Sequence, residues 1–259
     1  MPTAAYIGTV AHPVPIEWID GVRVSSDGRY SVQSAPARTW VFATRAQGLP
    51  AVRSWDVTAR VGNATMSNLE ALAAGAFGNA PLLWMPESAY VTNAITPPQS
   101  LLFDVVGAGA GVGAVEGWAP RSALGPGPTV LADGTPVLPG QPVTVSADAA
   151  GPTVLKAVFR NAAGVAVSTG SVSATGTAMQ RLHFTTGAAP STARTVDVVV
   201  EGHTAATRPQ VTWTRGPTPW APGAGAASVV VEKIESQTLY LEGRGDLLMS
   251  VGMTIQEVE

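Results

Sequence analysis

Short runs of alternating apolar and polar residues, separated by Gly, Pro and Asp, recur along most of this chain. Examples are "IEWIDGVRVSS", "TWVFATR", "TVLKAVFRNAAGVAVSTGSVS" and "TARTVDVVVEG". A period of two places successive side chains on opposite faces of a strand, and the turn residues recur about every ten residues. This spacing is typical of β-sandwiches and jelly rolls, so we predict a mainly β fold.

One segment departs from the strand pattern. In "SNLEALAAGAFG" the apolar residues recur at helical spacing, which predicts one short α-helix over about residues 67–77. Ser67 and Glu70 have the spacing of a capping box, in which each side chain bonds a free backbone N–H, and Gly78 is placed to end the helix. The predicted apolar stripe, which would pack on a sheet or on a neighbouring subunit, consists of Leu69, Leu72, Ala73, Ala76 and Phe77.

The distribution of Gly and Pro predicts two domains. The segment "GAGAGVGAVEGWAPRSALGPGP" at residues 107–128 reads as a connection, because Gly and Pro interrupt regular structure. We therefore expect a β-domain with one helix at 1–119 and a second β-sandwich or jelly roll at 120–227. The C-terminal strands at 228–259 either complete the second domain or return to pair with the first.

Composition excludes several classes of protein. The chain has no cysteine, which excludes disulfides and thiolate metal sites. Its net charge of −3 argues against binding to nucleic acid or to an anionic membrane. The first residues lack the basic and apolar regions of a signal peptide, and no apolar run reaches the ~20 residues of a membrane helix. We expect a soluble protein that is not exported by the general route.

No motif for catalysis or cofactor binding stands out. The glycines of "DVVGAGAGVGAV" lack the spacing and the following helix of a dinucleotide site, and no G-x-S-x-G elbow is present. The three histidines have no ligand-like spacing to one another or to acids, so we expect neither cofactor nor metal. We expect no enzyme, and keep a β-rich glycan hydrolase as a remote alternative, based on acids near strands: Asp56, Asp104, Asp197 and Glu201.

Two tryptophans bracket a loop in the second predicted domain. Trp213 and Trp220 flank "TRGPTP", with Arg215 between them. A sugar ring can stack on an exposed indole, and a guanidinium can bond its hydroxyls, so these three residues form a candidate glycan-binding site. The alternative is that Trp213 belongs to the core, since it alternates with Val211, and that Trp220 packs a loop or an interface.

Two stretches of the chain resemble a known family. Residues 53–100, "RSWDVTARVGNATMSNLEALAAGAFGNAPLLWMPESAYVTNAITPPQS", resemble minor tail proteins of long-tailed, siphovirus-type phages of actinobacteria. So do the segments "PQVTWTRGPTPWAPGAGAASVVVE" and "MSVGMTIQEVE" near the end. The size and two-part plan also resemble distal tail proteins. The resemblance implies a tail-tube-like β-sandwich with one helix, followed by a second β-sandwich similar to a carbohydrate-binding module.

This resemblance also implies a function. A protein of this family is a structural component of the virion tail tip, assembled in the host cytoplasm, and carries no catalytic residue or cofactor. It would form a homo-oligomeric ring, three- or six-fold, that connects the tail tube and the hub or tip proteins to the host-recognition apparatus. The second hypothesis is that residues 120–227 act as an adhesin that binds glycans of the host cell wall.

Overall fold

Antiparallel strands dominate the chain, which confirms the predicted mainly β fold. The structure is a computed structural model, and it describes residues 5–27, 30–34, 41–45, 52–78, 82–102, 106–107, 111–113, 122–241 and 247–258. Three helices lie in these residues: α1 (Asn63–Ala73), α2 (Glu87–Thr92) and α3 (Pro97–Ser100). The strands are, in chain order, β1 (Ala5–Gly8), β2 (Pro13–Ile16), β3 (Trp18–Asp27), β4 (Tyr30–Ser34), β5 (Val41–Arg45), β6 (Val52–Gly62), β7 (Leu82–Met85), β8 (Val106–Gly107), β9 (Gly111–Gly113), β10 (Ser122–Leu124), β11 (Thr129–Pro136), β12 (Val143–Ala150), β13 (Thr153–Arg160), β14 (Ala166–Ala174), β15 (Gln180–Thr186), β16 (Thr195–Glu201), β17 (Ala205–Thr212), β18 (Ala226–Leu241) and β19 (Leu247–Glu257).

Contacts divide the chain into two compact units, each built from two separate stretches of sequence. Unit 1 comprises Met1–Pro15 and Asn79–Ala227, and unit 2 comprises Ile16–Gly78 and Ser228–Glu259. These limits differ from the segments expected at 1–119 and 120–227, because residues 79–119 group with the second predicted domain. The described helices include none that is long and apolar enough to cross a membrane.

Unit 1 is a sandwich of two five-stranded sheets. Their strand orders are β15-β12-β17-β10-β9 and β14-β13-β16-β11-β8. Alternate residues of β13 are buried, as the period of two predicts, whereas β12 is buried along nearly its whole length. Each fully buried aliphatic or aromatic side chain contributes about 1.5–3 kcal/mol. The two inner faces form one core, which includes Val143, Val145, Ala147, Leu155, Ala157, Phe159, Val196, Val198 and Val200.

The glycine-rich segment expected to link two domains supplies strands to this sandwich. β8 pairs with β11, and β9 pairs with β10, which in turn pairs with β17. Strand pairing uses backbone groups that glycine also has, so a glycine-rich stretch can form the edge of a sheet. The remainder of the segment up to residue 121 lies outside the described residues.

Four antiparallel strands of one sheet lie in unit 2, in the order β18-β19-β6-β3. The C-terminal strand β19 pairs along β6, with Ile255 opposite Trp55 and Met253 opposite Val57. Of the two placements expected for residues 228–259, the structure therefore has the return to the N-terminal strands. The backbones of β4 and β5 pair as a separate two-stranded sheet.

Helix α1 packs on β6 and β19 of the unit 2 sheet. Its buried side chains are Met66, Leu69 and Leu72. The predicted Leu69 and Leu72 therefore do face a sheet, whereas Ala73 and Ala76 are exposed and Phe77 is half-buried. The apolar stripe lies one turn closer to the N-terminus than expected, because the helix itself starts earlier.

The predicted capping box is wrong. The helix begins at Asn63, after an extended Gly62 that makes no side-chain cap, so Ser67 and Glu70 lie inside the helix and are exposed. Strand β6 runs into the helix without a loop, and the end of the strand rather than a capping side chain determines where the helix starts.

The helix ends at a Schellman motif rather than at Gly78. Gly75 adopts a left-handed φ of 71°. Its N–H donates to Leu72 O at 3.0 Å, and the N–H of Ala76 donates to Ala71 O at 2.9 Å. These two bonds satisfy carbonyls that the last turn leaves open.

The described residues of unit 1 contain two short helices in addition to the one helix that the sequence predicts. α2 covers "ESAYVT" and α3 covers "PPQS". Thr96 caps α3 and Pro97 occupies its first position, where a missing N–H costs nothing. The sequence pattern does not reveal α2, because "AYVT" has too few apolar residues to distinguish a helical period from a strand period.

Candidate functional site

Trp213, a candidate sugar-stacking residue, belongs to the core of unit 1. Its ring stacks on Tyr90 at 4.9 Å between centroids and meets Tyr6 edge-on at 6.4 Å. Its indole N–H donates to Pro136 O at 3.3 Å. The side chain is 7% exposed, so it offers no face to a ligand, and its expected role in sugar binding is corrected. The alternation with Val211 had indicated this placement.

Trp220 is half-buried on the surface of the same unit, and the arginine beside it is not the expected one. The guanidinium of Arg208 lies over the Trp220 ring, 5.9 Å from its centroid. The indole N–H of Trp220 donates to Pro209 O at 3.3 Å. Arg215 is exposed on the intervening loop. The structure therefore pairs Trp220 with Arg208, a residue that the sequence pattern did not single out.

The segment 213–225, which carries Trp220, is held by Asn93. The buried amide of Asn93 donates to Pro209 O at 3.2 Å and to Ala221 O at 2.9 Å, and its oxygen accepts from the N–H groups of Ile95 and Val211. Gly223 and Gly225 pass so close to the backbone of residues 94–96 that a Cβ on either would overlap it. The position of Trp220 is therefore set by a rigid support.

A polar network lies on the outer face of the sheet next to Trp220. Arg181 donates to Asp148 Oδ1 at 3.1 Å, to Ser146 Oγ at 2.8 Å and to Gln210 Oε1 at 2.5 Å. Arg208 donates to the other oxygen of Asp148 at 3.3 Å. Ser146 and Asp148 alternate along β12 with core residues, so both point away from the core. One carboxylate thus faces two guanidinium groups.

Burial shifts the pKa of one member of the network without changing its charge. The Arg181 side chain is 25% exposed, and this burial lowers the pKa of Arg181, an effect that the nearby Asp148 opposes and the charge of Arg208 reinforces. Arg remains protonated in proteins, so the network keeps two positive charges against one negative charge.

The backbone of Arg208 is unusual for a residue with a side chain. Its φ is +52°, in the left-handed region. The pairing of β12 with β17 shifts register between Ser146 and Asp148, which places Arg208 and Pro209 in a β-bulge. A proline inside strand-like text, as in "TRPQVT", is the sequence signal that could have revealed this bulge, because Pro cannot donate to a ladder.

A separate cleft of about 490 Å³ opens on unit 1 at the β13–β14 turn. Asp197 lines it and is held on both oxygens, by Arg160 Nε at 2.5 Å and by the Gly134 N–H at 3.0 Å. Asp133 lines it with an exposed carboxylate, which accepts from Gln99 Nε2 at 2.7 Å. Asn161 and Thr195 also line the cleft.

Of the four acids named as hydrolase candidates, the structure places only Asp197 at this cleft. Glu201 forms an ion pair with Lys156 at 2.6 Å on the surface of the sandwich. Asp56 lies in unit 2 and accepts from Thr254 at 3.1 Å. Asp104 lies outside the described residues. The sequence analysis did not name Asp133, the second carboxylate of the cleft. The turn-forming residues Asp and Gly in "ADG" were the signal of an irregular strand there.

The histidines do not converge. His203 is fully buried in unit 1, where burial lowers its pKa and favours the neutral imidazole. His12 and His183 are exposed. Within the described ranges, no group of three His, Cys, Asp or Glu residues could hold a metal ion.

Strand β3 forms an exposed apolar surface on unit 2. Val22 pairs with Val57 and Val24 pairs with Trp55, and directly paired residues point to the same face of a sheet. Val57 and Trp55 are buried, whereas Val22 is 39% and Val24 is 58% exposed. Trp18, also on β3 and 52% exposed, pairs with Arg60 and therefore lies on the opposite face of the sheet. The apolar face of the sheet thus extends beyond the part that α1 and its neighbours cover.

Comparisons with known proteins give one structural similarity. No family model matches the chain, and no curated protein matches it. The chain is similar to a crystal structure of the enzymatically active domain of tailspike protein 4 of bacteriophage CBA120, with 13% identity and a TM-score of 0.35. The similarity covers 46% of this chain and 21% of that chain. The chain therefore spans about a fifth of the structure that it matches.

The similarity to a phage tailspike domain bears on one prediction. It contradicts the prediction that the chain is not an enzyme, because the matched domain is described as enzymatically active. That prediction is therefore wrong. A similarity with this TM-score and identity transfers neither an activity nor a catalytic residue to this chain.

Proposed function

We propose that this protein is a structural component of the phage tail tip, a minor or distal tail protein of a siphovirus-type particle. It forms a homo-oligomeric ring that connects the tail tube to the host-recognition apparatus. The observation that carries the proposal is the exposed apolar surface of β3 on unit 2.

The β3 surface has the properties of an interface between subunits. Within the described residues, β3 pairs with β6 on one side only, so its other edge has backbone groups available for a further strand. Exposed apolar side chains at such an edge mark a site of association. A second copy that adds a strand there would bury Val22 and Val24, and repetition around an axis gives a closed ring.

The low charge of the chain supports the same proposal. Charged residues make up 13% of the sequence, against about a quarter in typical soluble domains. The core of a protein interface is depleted in charged residues. A ring with three- or six-fold symmetry would hide part of this weakly charged surface and would match the symmetry of a tail tube.

Mass photometry of the purified protein, together with immunogold labelling of phage tails, tests the proposal. We expect one dominant species at three or six times the protomer mass, and label at the tail tip. A monomer at micromolar concentration that labels no part of the particle would refute the proposal.

A second candidate function is glycan binding by unit 1, and the cleft favours it. Its volume of about 490 Å³ lies in the range of small-molecule sites. Its lining presents carboxylate, guanidinium and amide groups from Asp133, Arg160 and Asn161, which can bond the hydroxyls of a sugar.

Calorimetric titration with oligosaccharides from the host cell wall tests this second function. We expect Asp133→Ala to weaken binding about tenfold, because a charge-assisted hydrogen bond is lost. Glu70→Ala, which removes an exposed carboxylate of unit 2, is the control and should bind as the wild type does. Reducing ends are measured in the same samples, and their release by wild type but not by Asp197→Asn would identify hydrolysis.

A further inference from the structure

Arg208 has a positive φ, a backbone conformation that is adopted mostly by glycines in the described residues. The described residues with positive φ are nine glycines and two others, Leu102 and Arg208. Leu102 is 1% exposed and fills the core of unit 1. The Arg208 side chain is instead 43% exposed, so the core gains little from it. A non-glycine residue in this region is strained, and the following Pro209 restricts the backbone further.

Hydrogen bonds to the carbonyls of Arg208 and Pro209 hold the strained backbone conformation in place. The carbonyl of Arg208 accepts from Arg181 Nη1 at 2.7 Å. The carbonyl of Pro209 accepts from the Trp220 indole at 3.3 Å and from the Asn93 amide at 3.2 Å. Strain persists only where the surroundings determine the conformation, and such positions cluster at ligand sites.

The Arg208 guanidinium has N–H donors that no described residue uses. Arg181 uses its two Nη atoms in four hydrogen bonds, to Asp148, Ser146, Gln210 and the Arg208 carbonyl. To the part of the chain that the structure describes, Arg208 makes one hydrogen bond, to Asp148 at 3.3 Å, and it lies over the ring of Trp220. Its Nε and Nη2 groups thus remain able to donate as a pair to an oxyanion.

The local charge favours an anion at this place. Two guanidinium groups face the single carboxylate of Asp148, which leaves one positive charge. The charge of Arg208 adds to the burial that lowers the pKa of Arg181, so the two cations repel each other. An anion next to Arg208 would reduce this repulsion.

We propose that Arg208, supported by Asp148, Arg181 and Trp220, is a binding site for the carboxylate or phosphate of an acidic saccharide or polyol ligand. The planar fork of Arg208 would bond two oxygens of the anion. The site lies on the outer face of the β12–β17 strand pair and differs in its residues from the Asp133–Asp197 cleft, so it does not depend on the function proposed for that cleft.

NMR titration and calorimetry of the full-length protein with three probes test the proposal. The probes are oligogalacturonate, which carries carboxylates, poly(glycerol phosphate), which carries phosphates, and a neutral galacto-oligosaccharide. We expect saturable binding of one acidic probe and none of the neutral one, and the pair of acidic probes distinguishes carboxylate from phosphate. Binding should weaken as salt is added, because the attraction is electrostatic.

The variant Arg208→Gly separates binding from folding. Glycine accepts the positive φ, so the thermal midpoint should equal or exceed that of the wild type, while affinity for the acidic probe should fall about tenfold or more. Arg208→Lys keeps the charge without the fork and should bind with intermediate affinity. The matched control Arg215→Gly removes an exposed arginine of the neighbouring loop and should bind as the wild type does.

Arginine footprinting of the wild-type protein gives a result that does not depend on any variant. Phenylglyoxal should modify Arg208 and Arg215 in the free protein, and the acidic probe should protect Arg208 alone. Unchanged affinity in Arg208→Gly, absence of saturable binding to both acidic probes at millimolar concentration, or modification of Arg208 that no probe reduces would each overturn the proposal.

Discussion

At the scale of single residues, Gly170 shows how closely unit 1 is packed. It lies on β14, the edge strand of one sheet, and the Phe184 ring of β15, on the other sheet, passes directly over it. A Cβ at position 170 would overlap three carbons of that ring. Its φ is not in the left-handed region, so space rather than conformation requires glycine here.

We expect Gly170→Ala to lower the free energy of unfolding by about 1–3 kcal/mol, the usual cost of overpacking. Gly252→Ala is the control, since Gly252 is also a strand glycine but has nothing within 4 Å of its Cβ position. That variant should be neutral or slightly stabilising, because alanine loses less backbone entropy than glycine. Urea denaturation measures both, and equal midpoints for the two variants would contradict this account of Gly170.

At the scale of elements, the sequence predicts that helix α1 exists but not where it begins and ends. Helical spacing of the apolar residues correctly predicts that a helix exists and that Leu69 and Leu72 are buried. Its limits are different, because the strand β6 and the Schellman motif at Gly75 determine them. Neither feature is visible in a pattern of apolar residues alone.

Ser67→Ala tests where the helix begins. If Ser67 were the N-cap, its loss would cost about 1 kcal/mol. In the structure Ser67 is exposed inside the helix, where alanine is the better helix former by up to about 0.5 kcal/mol. We therefore expect a small gain in stability, measured by thermal and urea denaturation.

Leu69→Ala, at a position that is 1% exposed, is the companion variant and should cost about 2–5 kcal/mol. A loss of stability in Ser67→Ala would place the helix start at Ser67 and contradict the observed limits of α1.

At the scale of the whole molecule, each unit is assembled from distant parts of the chain. β19 completes the unit 2 sheet by pairing with β6, about 200 residues earlier in the sequence, for example Gln256 with Ser54. The bidentate pair of Arg53 and Glu257, with Nη2 to Oε1 at 2.7 Å and Nε to Oε2 at 3.0 Å, ties the same two strands together. Unit 2 therefore needs both of its separate stretches of sequence, and pairings this distant are slow to form.

The apolar surface of β3 gives a prediction about assembly. We expect Val24→Lys to convert the proposed ring to protomers without unfolding, because a charge buried in the subunit contact would lose its hydration. Val165→Lys is matched in residue type and exposure, 59% against 58%, but lies in the β13–β14 turn of unit 1. It should leave the oligomer intact. Mass photometry and circular dichroism of both variants measure the outcome, and a Val24→Lys protein that still forms the full oligomer would exclude β3 as the contact.

The candidate sites show a similar division between sequence and structure. The aromatic and arginine residues in "VTWTRGPTPW" predicted a site formed by Trp213, Arg215 and Trp220, but the fold buries Trp213 against Tyr90 and brings Arg208 to Trp220 instead of Arg215. Asp133 and Asp197, about sixty residues apart, reach one cleft through the pairing of β11 with β16. Convergence of this kind depends on strand order, which local patterns do not encode.

The sequence by itself determined the mainly β class of this protein, the alternation of core residues along its strands and the existence of a helix near residue 70. Each of these follows from local periodicity, which reflects the geometry of a single strand or helix. Only the tertiary structure decided which strands are neighbours, which glycines join the sandwich and which arginine meets Trp220. Those outcomes depend on pairings between distant segments, where many arrangements bury similar apolar area and the backbone bonds of the final sheet select one.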